Sequence, residues 1–196
     1  MSDRRLFSPT GRIPLILYTL LLLATPLSSA FSSEDPALAE ARRRMVERDL
    51  RGRDIRAPKV LEILGRVPRH LFVDSSQWNK AYADYPLPIG EDQTISQPYI
   101  VALMTEILEP KDSDRVLEVG VGSGYQAAVL AELVAQVFTM DRVGPLATRA
   151  QEMLKSMGYR NIEVRFGDGT LGWPEEAPFD GIMVTAAAPL VPRPLT

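Results

Sequence analysis

Between Pro36 and Leu50 the row "PALAEARRRMVERDL" sets Leu38, Ala41, Met45 and Val46 on one side of a 3.6-residue repeat, with charges elsewhere. Gly52 follows as a stop, and the pattern predicts an amphipathic helix. A second, short helix is predicted from Pro58, with Val60, Leu61 and Leu64 inward before Gly65. From Val67 to Asp92 the chain is rich in Pro, Tyr, Asp and Gly without sustained periodicity, so loop with at most short elements is expected. A third helix is predicted over "PYIVALMTEIL", from about Pro98 to Leu108. From Arg115 the rhythm changes. The β-type runs "RVLEVG", "QVFTMD", "IEVRFGD" and "FDGIMVTAAAP" are separated by helical "GYQAAVLAELV", helical "GPLATRAQEMLKSMG" and a turn. That order predicts an α/β fold with a parallel sheet, preceded by short helices, and ligands of such sheets lie at the carboxyl ends of the strands. Those ends fall at Glu118 to Gly120, Met140 to Asp141, Gly167 to Gly169 and Thr185 to Ala188.

The first thirty residues have a different pattern. Arg4, Arg5 and Arg12 precede "IPLILYTLLLLATPL", and small residues end at Ala30, which resembles a secretory signal cleaved after Ala30. An uncleaved anchor is the alternative, although the apolar run is shorter than the roughly 20 residues that span a bilayer. The expected organisation is a leader over 1–30 and one domain over 31–196, helical and looped to 112 and α/β from 113. The leader implies a periplasmic or secreted protein, with membrane contact only through that segment if it is retained.

The 196 residues carry 22 basic and 25 acidic side chains, a net charge of −3. Without the leader's three Arg and one Asp it becomes −5. No basic run interleaved with aromatics suggests a nucleic-acid surface, so a nucleic-acid partner is not expected. The absence of cysteine removes disulfides and thiolate chemistry, and a single histidine, His70, leaves little for a metal site or a His-based triad.

The chemistry-bearing stretch is "VLEVGVGSGYQAA", Val116 to Ala128. A dinucleotide fingerprint wants G-x-G-x-x-G, yet after Gly120 and Gly122 the third glycine is Gly124 and the expected position holds Tyr125. The E-x-G-x-G-x-G turn fits S-adenosylmethionine, a ligand without phosphate. Its glycines permit close backbone approach, and Glu118 adds negative charge near an amino group. Asp141, 21 positions after Gly120, is expected to accept from both ribose hydroxyls, and Asp168 in "FGDGT", with Gly169 beside it, from an adenine amine. Each has a plainer reading: a tight strand-to-helix turn, a solvated strand end, and a D-G turn. For His70, Tyr125 and Trp173 packing is the expected role.

"RVPRHLFV", "YPLPIG" followed by "QTISQPY", "LEVGVGSGYQAAVLAELV", "GDGTLGWPEEAPFD" and "VTAAAP" together resemble the protein-L-isoaspartate O-methyltransferases, from about Met45 to Pro192. The resemblance implies a Rossmann-like methyltransferase sheet. It also implies methyl transfer from S-adenosylmethionine to the free α-carboxyl of L-isoaspartyl residues in aged proteins and peptides. The ester then collapses to a succinimide, which reopens partly to normal aspartate. Ser96 of the "TIS" motif is implied as the active-site residue, with Thr94 and Ile95 beside it on the cofactor and substrate side. Pro98 follows closely, so Ser96 also has the alternative role of capping the third helix.

Two departures from the family pattern stand out. Asp92 takes the place of the glycine usual before "QTIS", where a positive φ suits glycine. The family pattern continues past "PLVPRPLT" into a helix and three strands, so a fragment with C-terminal strands missing and an exposed sheet edge is expected. Cytoplasmic residence, usual for the family, is the alternative to export. Rival functions are a methyltransferase of the same fold acting on a small molecule or RNA, and a non-catalytic module that binds S-adenosylmethionine. A NAD-dependent oxidoreductase is more distant, because Tyr125 occupies the third glycine position.

Overall fold

The computed structural model describes residues 35–187 and 190–196, so the leader expected over 1–30 lies outside the described residues, as do Ala188 and Pro189 of the last expected strand end. Helix α1, Pro36–Arg44, starts where the Asp35 carboxylate accepts the Ala37 N–H at 2.8 Å. Its coil continues as a π-helical segment, Met45–Arg51, that stops at Gly52. The apolar stripe is the buried one, with Leu38, Met45, Val46 and Leu50 inside. Helix α2, Pro58–Leu64, buries Val60, Leu61, Ile63 and Leu64 and ends at Gly65.

The stretch expected to be loop with at most short elements is of that kind. It holds two 3-10 segments, Arg69–Phe72 and Ser75–Lys80, and strand β1, Leu87–Gly90. β1 pairs antiparallel with β2, Gln93–Ile95, and Gly90 faces Gln93 across the turn. Strands of four and three residues are too short to show alternation, which is why the pattern hid them. Glu91 and Asp92 form the two-residue loop, each at φ +53, the left-handed pair of a type I′ hairpin. Asp92 therefore adopts the conformation for which glycine is usual. Helix α3, Pro98–Leu108, follows directly.

The second half has the expected order: β3 Arg115–Val119, α4 Tyr125–Ala131, β4 Gln136–Asp141, α5 Gly144–Ser156, β5 Ile162–Phe166 and β6 Gly181–Val184. All neighbouring pairs are parallel, in spatial order β5-β4-β3-β6. The chain steps outward from β3 to β5 and then returns to the far side of β3. This reversal opens a crevice at the carboxyl ends of the strands.

Alternation along the strands feeds two cores. Val116, Val137 and Met183 join the larger one, while Leu117, Phe138 and Met140 face Trp173, Phe179 and Leu195 on the opposite side. The Phe138 ring lies edge-on 5.6 Å from Trp173 and 5.4 Å from Phe179. Helix α4 is buried all round from Tyr125 to Leu130, because the N-terminal elements cover the side turned away from the sheet. Leu50, Leu64 and Phe72 share one continuous core with Ala127, Val129 and Leu130. Each such buried Leu, Val or Phe side chain contributes about 1.5–3 kcal/mol.

Two L-residues in the left-handed region make the hairpin loop improvable. Replacing the pair by Glu91→Asn with Asp92→Gly is expected to raise stability by about 0.5–1 kcal/mol, read as a higher urea midpoint at unchanged slope. A lower midpoint would show that the acidic pair makes contacts that outweigh its strain.

Candidate active site

The turn leaving β3 carries Gly120, Gly122 and Gly124 at φ +109, +50 and +87. Gly120 is the most constrained: a Cβ there would stand 2.7 Å from Thr185 Oγ1. That hydroxyl donates to Gly120 O at 2.6 Å and to Val119 O at 3.0 Å, so the end of β6 clamps the turn. The N–H groups are also committed. Those of Gly120 and Val121 donate to Met140 O at 2.7 and 3.2 Å, and that of Gly124 to Val121 O at 2.7 Å. Gly122 N–H donates to Asp141 Oδ2 at 2.9 Å. A phosphate cradle needs N–H groups free to face its ligand, and this turn has turned these four inward.

A cleft of about 490 Å³ lies at the carboxyl ends of β3, β4 and β6. Of the residues singled out in the sequence, Thr94, Ile95, Ser96, Glu118, Gly120, Gly122, Asp141, Asp168 and Gly169 line it. Gly124 does not. A side chain there would run onto α5, with Leu154 Cδ1 at 3.2 Å and Ala150 Cβ at 3.4 Å, so its small size serves packing. Gly169 lines the cleft, but an added Cβ would collide with the Val119 side chain, a second packing constraint.

Asp141 is 9% exposed, and its Oδ1 accepts the Val143 N–H at 2.9 Å while Oδ2 holds Gly122. Each carboxylate oxygen keeps a second lone pair for a ligand hydroxyl. The solvated-strand-end reading is thereby replaced by a buried, bridging carboxylate. Asp168 closes a turn as the plainer reading held, since Oδ1 accepts from Thr170 N–H at 2.9 Å and Thr170 Oγ1 at 2.8 Å. Those bonds, and Arg142 nearby, hold its carboxyl below the usual range. Its position in the cleft wall keeps both roles open.

Ser96 is half-buried in the cleft wall and its hydroxyl makes no hydrogen bond among the described residues. It does not cap α3: the cap position is Gln97, without a side-chain bond. His70, buried, pairs through Nδ1 with the Tyr82 hydroxyl at 2.8 Å and meets the Trp78 ring edge at 5.1 Å, a packing role. Tyr125 packs on Phe72 with ring centroids 5.4 Å apart.

Glu118 is the most perturbed group in the cleft. It is fully buried, and its Oε2 accepts the Thr139 hydroxyl at 2.5 Å while Oε1 has no partner. Burial pushes its carboxyl up to about 8, opposed by the Thr139 bond and reinforced by Asp141. At neutral pH it is therefore mostly protonated, and a cation beside it would restore the charge. Two carboxyl groups and an unpaired acceptor suit a ligand that is cationic and rich in donors.

Two contributors, and the clamping role of a third, escaped the sequence reading. Thr139 and Gln126 are buried polar residues inside otherwise apolar runs, a signal that was available in "QVFTMD" and "GYQAAVLAELV". Gln126 lines the cleft, donating through Nε2 to Thr105 Oγ1 at 2.9 Å, with Oε1 unpaired. The clamp by Thr185 had no local signal, because it acts across strands 65 residues apart.

The family model for protein-L-isoaspartate(D-aspartate) O-methyltransferase matches residues 40–196. A protein-L-isoaspartate O-methyltransferase of Methanoregula boonei is 58% identical over 158 residues, which cover 81% of this chain and 73% of that protein. A solved protein-L-isoaspartate O-methyltransferase superposes with a TM-score of 0.72 at 28% identity, over 78% of this chain and half of the other. A Plasmodium falciparum protein assigned to the same activity, in complex with S-adenosyl-L-homocysteine, gives a TM-score of 0.68 at 25% identity, covering 79% of this chain and 77% of its own.

The folded chain keeps a proton on Glu118 that the unfolded chain loses above its ordinary value of 4.5. Stability from this group is therefore greatest at low pH and falls as pH rises toward about 8, at up to about 1.4 kcal/mol per pH unit. Glu118→Gln lacks that slope. The difference in urea midpoint between variant and wild type should widen from pH 5 to about pH 8, and parallel curves would mean that the buried carboxyl is ionised throughout.

Proposed function

The chain belongs to the protein-L-isoaspartate(D-aspartate) O-methyltransferase family, and on that premise we propose that it methylates the free α-carboxyl of L-isoaspartyl residues in damaged proteins and peptides. S-adenosylmethionine, when bound, supplies a sulfonium-activated methyl group that passes to a carboxylate oxygen with no proton to remove. The observation that carries the reading is the meeting, in one cleft, of an unpaired Ser96 hydroxyl with the Glu118 and Asp141 carboxyl groups below a turn whose N–H groups face inward.

The residues fit that cofactor. Glu118 Oε1 is a buried acceptor with no partner, suited to an ammonium group, and Asp141 retains lone pairs suited to ribose hydroxyls. Asp168 has Oδ2 free of hydrogen bonds among the described residues, a fit for an amine. The committed turn disfavours a pyrophosphate, which counts against a NAD-dependent oxidoreductase. Because an acceptor carboxylate is already an anion, the protein's task is alignment and exclusion of water. Ser96 donates a hydrogen bond that fixes the direction of the acceptor, and Ile95 beside it is 3% exposed and walls off solvent. The signal-like leader further supports export, with a mature chain that begins at Phe31.

Radiolabelled methyl transfer to an isoaspartyl peptide and its normal aspartyl twin tests the reaction. Labelling of the first alone is expected. A folded, cofactor-binding chain that labels neither would sink the reading in favour of a binding module or another acceptor. Ser96→Ala should lower kcat roughly 10- to 100-fold while leaving S-adenosylhomocysteine affinity within about twofold. Equal loss of both would assign Ser96 to the cofactor. N-terminal sequencing of the chain recovered from its native host should read Phe31, whereas Met1 or Ser2 would rule out cleavage.

A further inference from the structure

Ser96 stands between the last residue of β2 and Gln97, and no hydrogen bond of its own directs it. Its direction is set by whatever holds its neighbours. On one side Ile95 is paired with Leu87 in the hairpin. On the other, α3 begins without a cap from its own flanking residue. That role is taken from fifteen residues upstream by Asp84, whose Oδ1 accepts the Tyr99 N–H at 3.1 Å. Its Oδ2 accepts from Gln97 Nε2 at 2.8 Å.

The same carboxylate is braced from the turn that follows the N-terminal helical segment. Arg53 Nη1 donates to Asp84 Oδ2 at 3.1 Å, and the Arg53 guanidinium carbon lies 3.4 Å from the centroid of the Tyr99 ring. The Asp84 side chain is 19% exposed, so its bonds are partly shielded from solvent. A carboxylate at the start of an eleven-residue helix is also favoured by the free N–H groups and dipole there. Three donors from two stretches of chain, the turn after Gly52 and the start of α3, thus converge on one side chain. Two of them belong to the residues at one and three positions after Ser96.

We propose that Asp84, braced by Arg53, is a positioning residue for methyl transfer, which aims the Ser96 hydroxyl by holding Gln97 and the first turn of α3. The proposal rests on the role given to Ser96 above. It concerns the acceptor side of the cleft alone, because Asp84 has no bond to the glycine turn, Glu118 or Asp141. Removing the carboxylate leaves the Tyr99 N–H, the Gln97 amide and Arg53 without this acceptor, and the segment that carries Ser96 loosens.

The test compares wild type, Asp84→Ala and Asp84→Asn in steady-state transfer to an isoaspartyl peptide, S-adenosylhomocysteine binding, and amide hydrogen exchange. For Asp84→Ala, kcat should fall about tenfold or more, with the KM for S-adenosylmethionine and the affinity for S-adenosylhomocysteine within about twofold. Exchange at the Tyr99 amide should accelerate about tenfold or more while that at Gly122 holds. Asp84→Asn keeps an acceptor for the Tyr99 N–H and should recover kcat to within about threefold of wild type. Unchanged kcat, unchanged exchange at Tyr99, or a parallel loss of cofactor affinity and kcat would each overturn the proposal. If Asp84→Ala fails to fold, Arg53→Met, which removes the brace and keeps the acceptor, should lower kcat about threefold or more with S-adenosylhomocysteine affinity within about twofold, and an unchanged kcat would overturn the proposal. A wild-type chain that binds S-adenosylhomocysteine yet labels no isoaspartyl peptide would overturn the parent reading, and this one with it.

Discussion

The Asp141 carboxylate bridges Gly122 N–H and Val143 N–H, one bond from each oxygen, and the geometry of the cleft depends on that bridge. It joins the turn leaving β3 to the turn leaving β4, which are adjacent only because the two strands pair in parallel register. With Gly122 held from below, Met140 O takes Gly120 and Val121, and no N–H of these three residues is left to face a ligand. The result is a glycine turn of the α/β type whose selectivity is reversed. A turn that would otherwise attract phosphate stands beside carboxyl groups that suit a cation.

Glu118 belongs to the same arrangement. It lies directly beneath the turn, on β3, beside the β4 threonine that accompanies Asp141 along its strand, and it has one oxygen bound and one unpaired. A buried acceptor without a partner is costly to the folded chain in the absence of ligand, and that cost is relieved when a donor arrives. Stability and ligand binding are thus coupled at a single side chain. In a sheet of four strands, the two central ones carry the carboxyl groups and the neighbouring β6 supplies Thr185 as the clamp.

The N-terminal segments supply the other half of the site. Their helices cover α4 within a core shared with the sheet, so the hairpin and α3 are held against the glycine turn. Ile89 of β1 stands where a Cβ on Gly122 would meet its Cδ1 at 3.6 Å, and Arg149 on α5 donates to Ile89 O at 3.0 Å. Cofactor-side and acceptor-side residues thus come from two stretches of chain, joined by packing and by a few long-range polar bonds.

What the sequence by itself determined follows from short-range physics. Helices α1 to α3 were legible because Leu38, Met45, Val60, Leu61 and Leu64 recur at the helical period between Pro and Gly punctuation. The parallel sheet was legible from alternating strand and helix runs. The ligand end followed from where those runs stop, at Glu118, Asp141 and Asp168. Only the tertiary structure decided the rest. The hairpin at Leu87–Ile95 escaped because strands this short form by pairing and carry no period of their own. Packing across strands and helices decided that Gly124 faces Leu154, that Asp141 bridges two turns, and that burial raises the Glu118 carboxyl well above its ordinary value. Those outcomes depend on burial and on partners such as Gly122, 19 residues from Asp141, and Thr139, 21 residues from Glu118, and no local pattern records such distances.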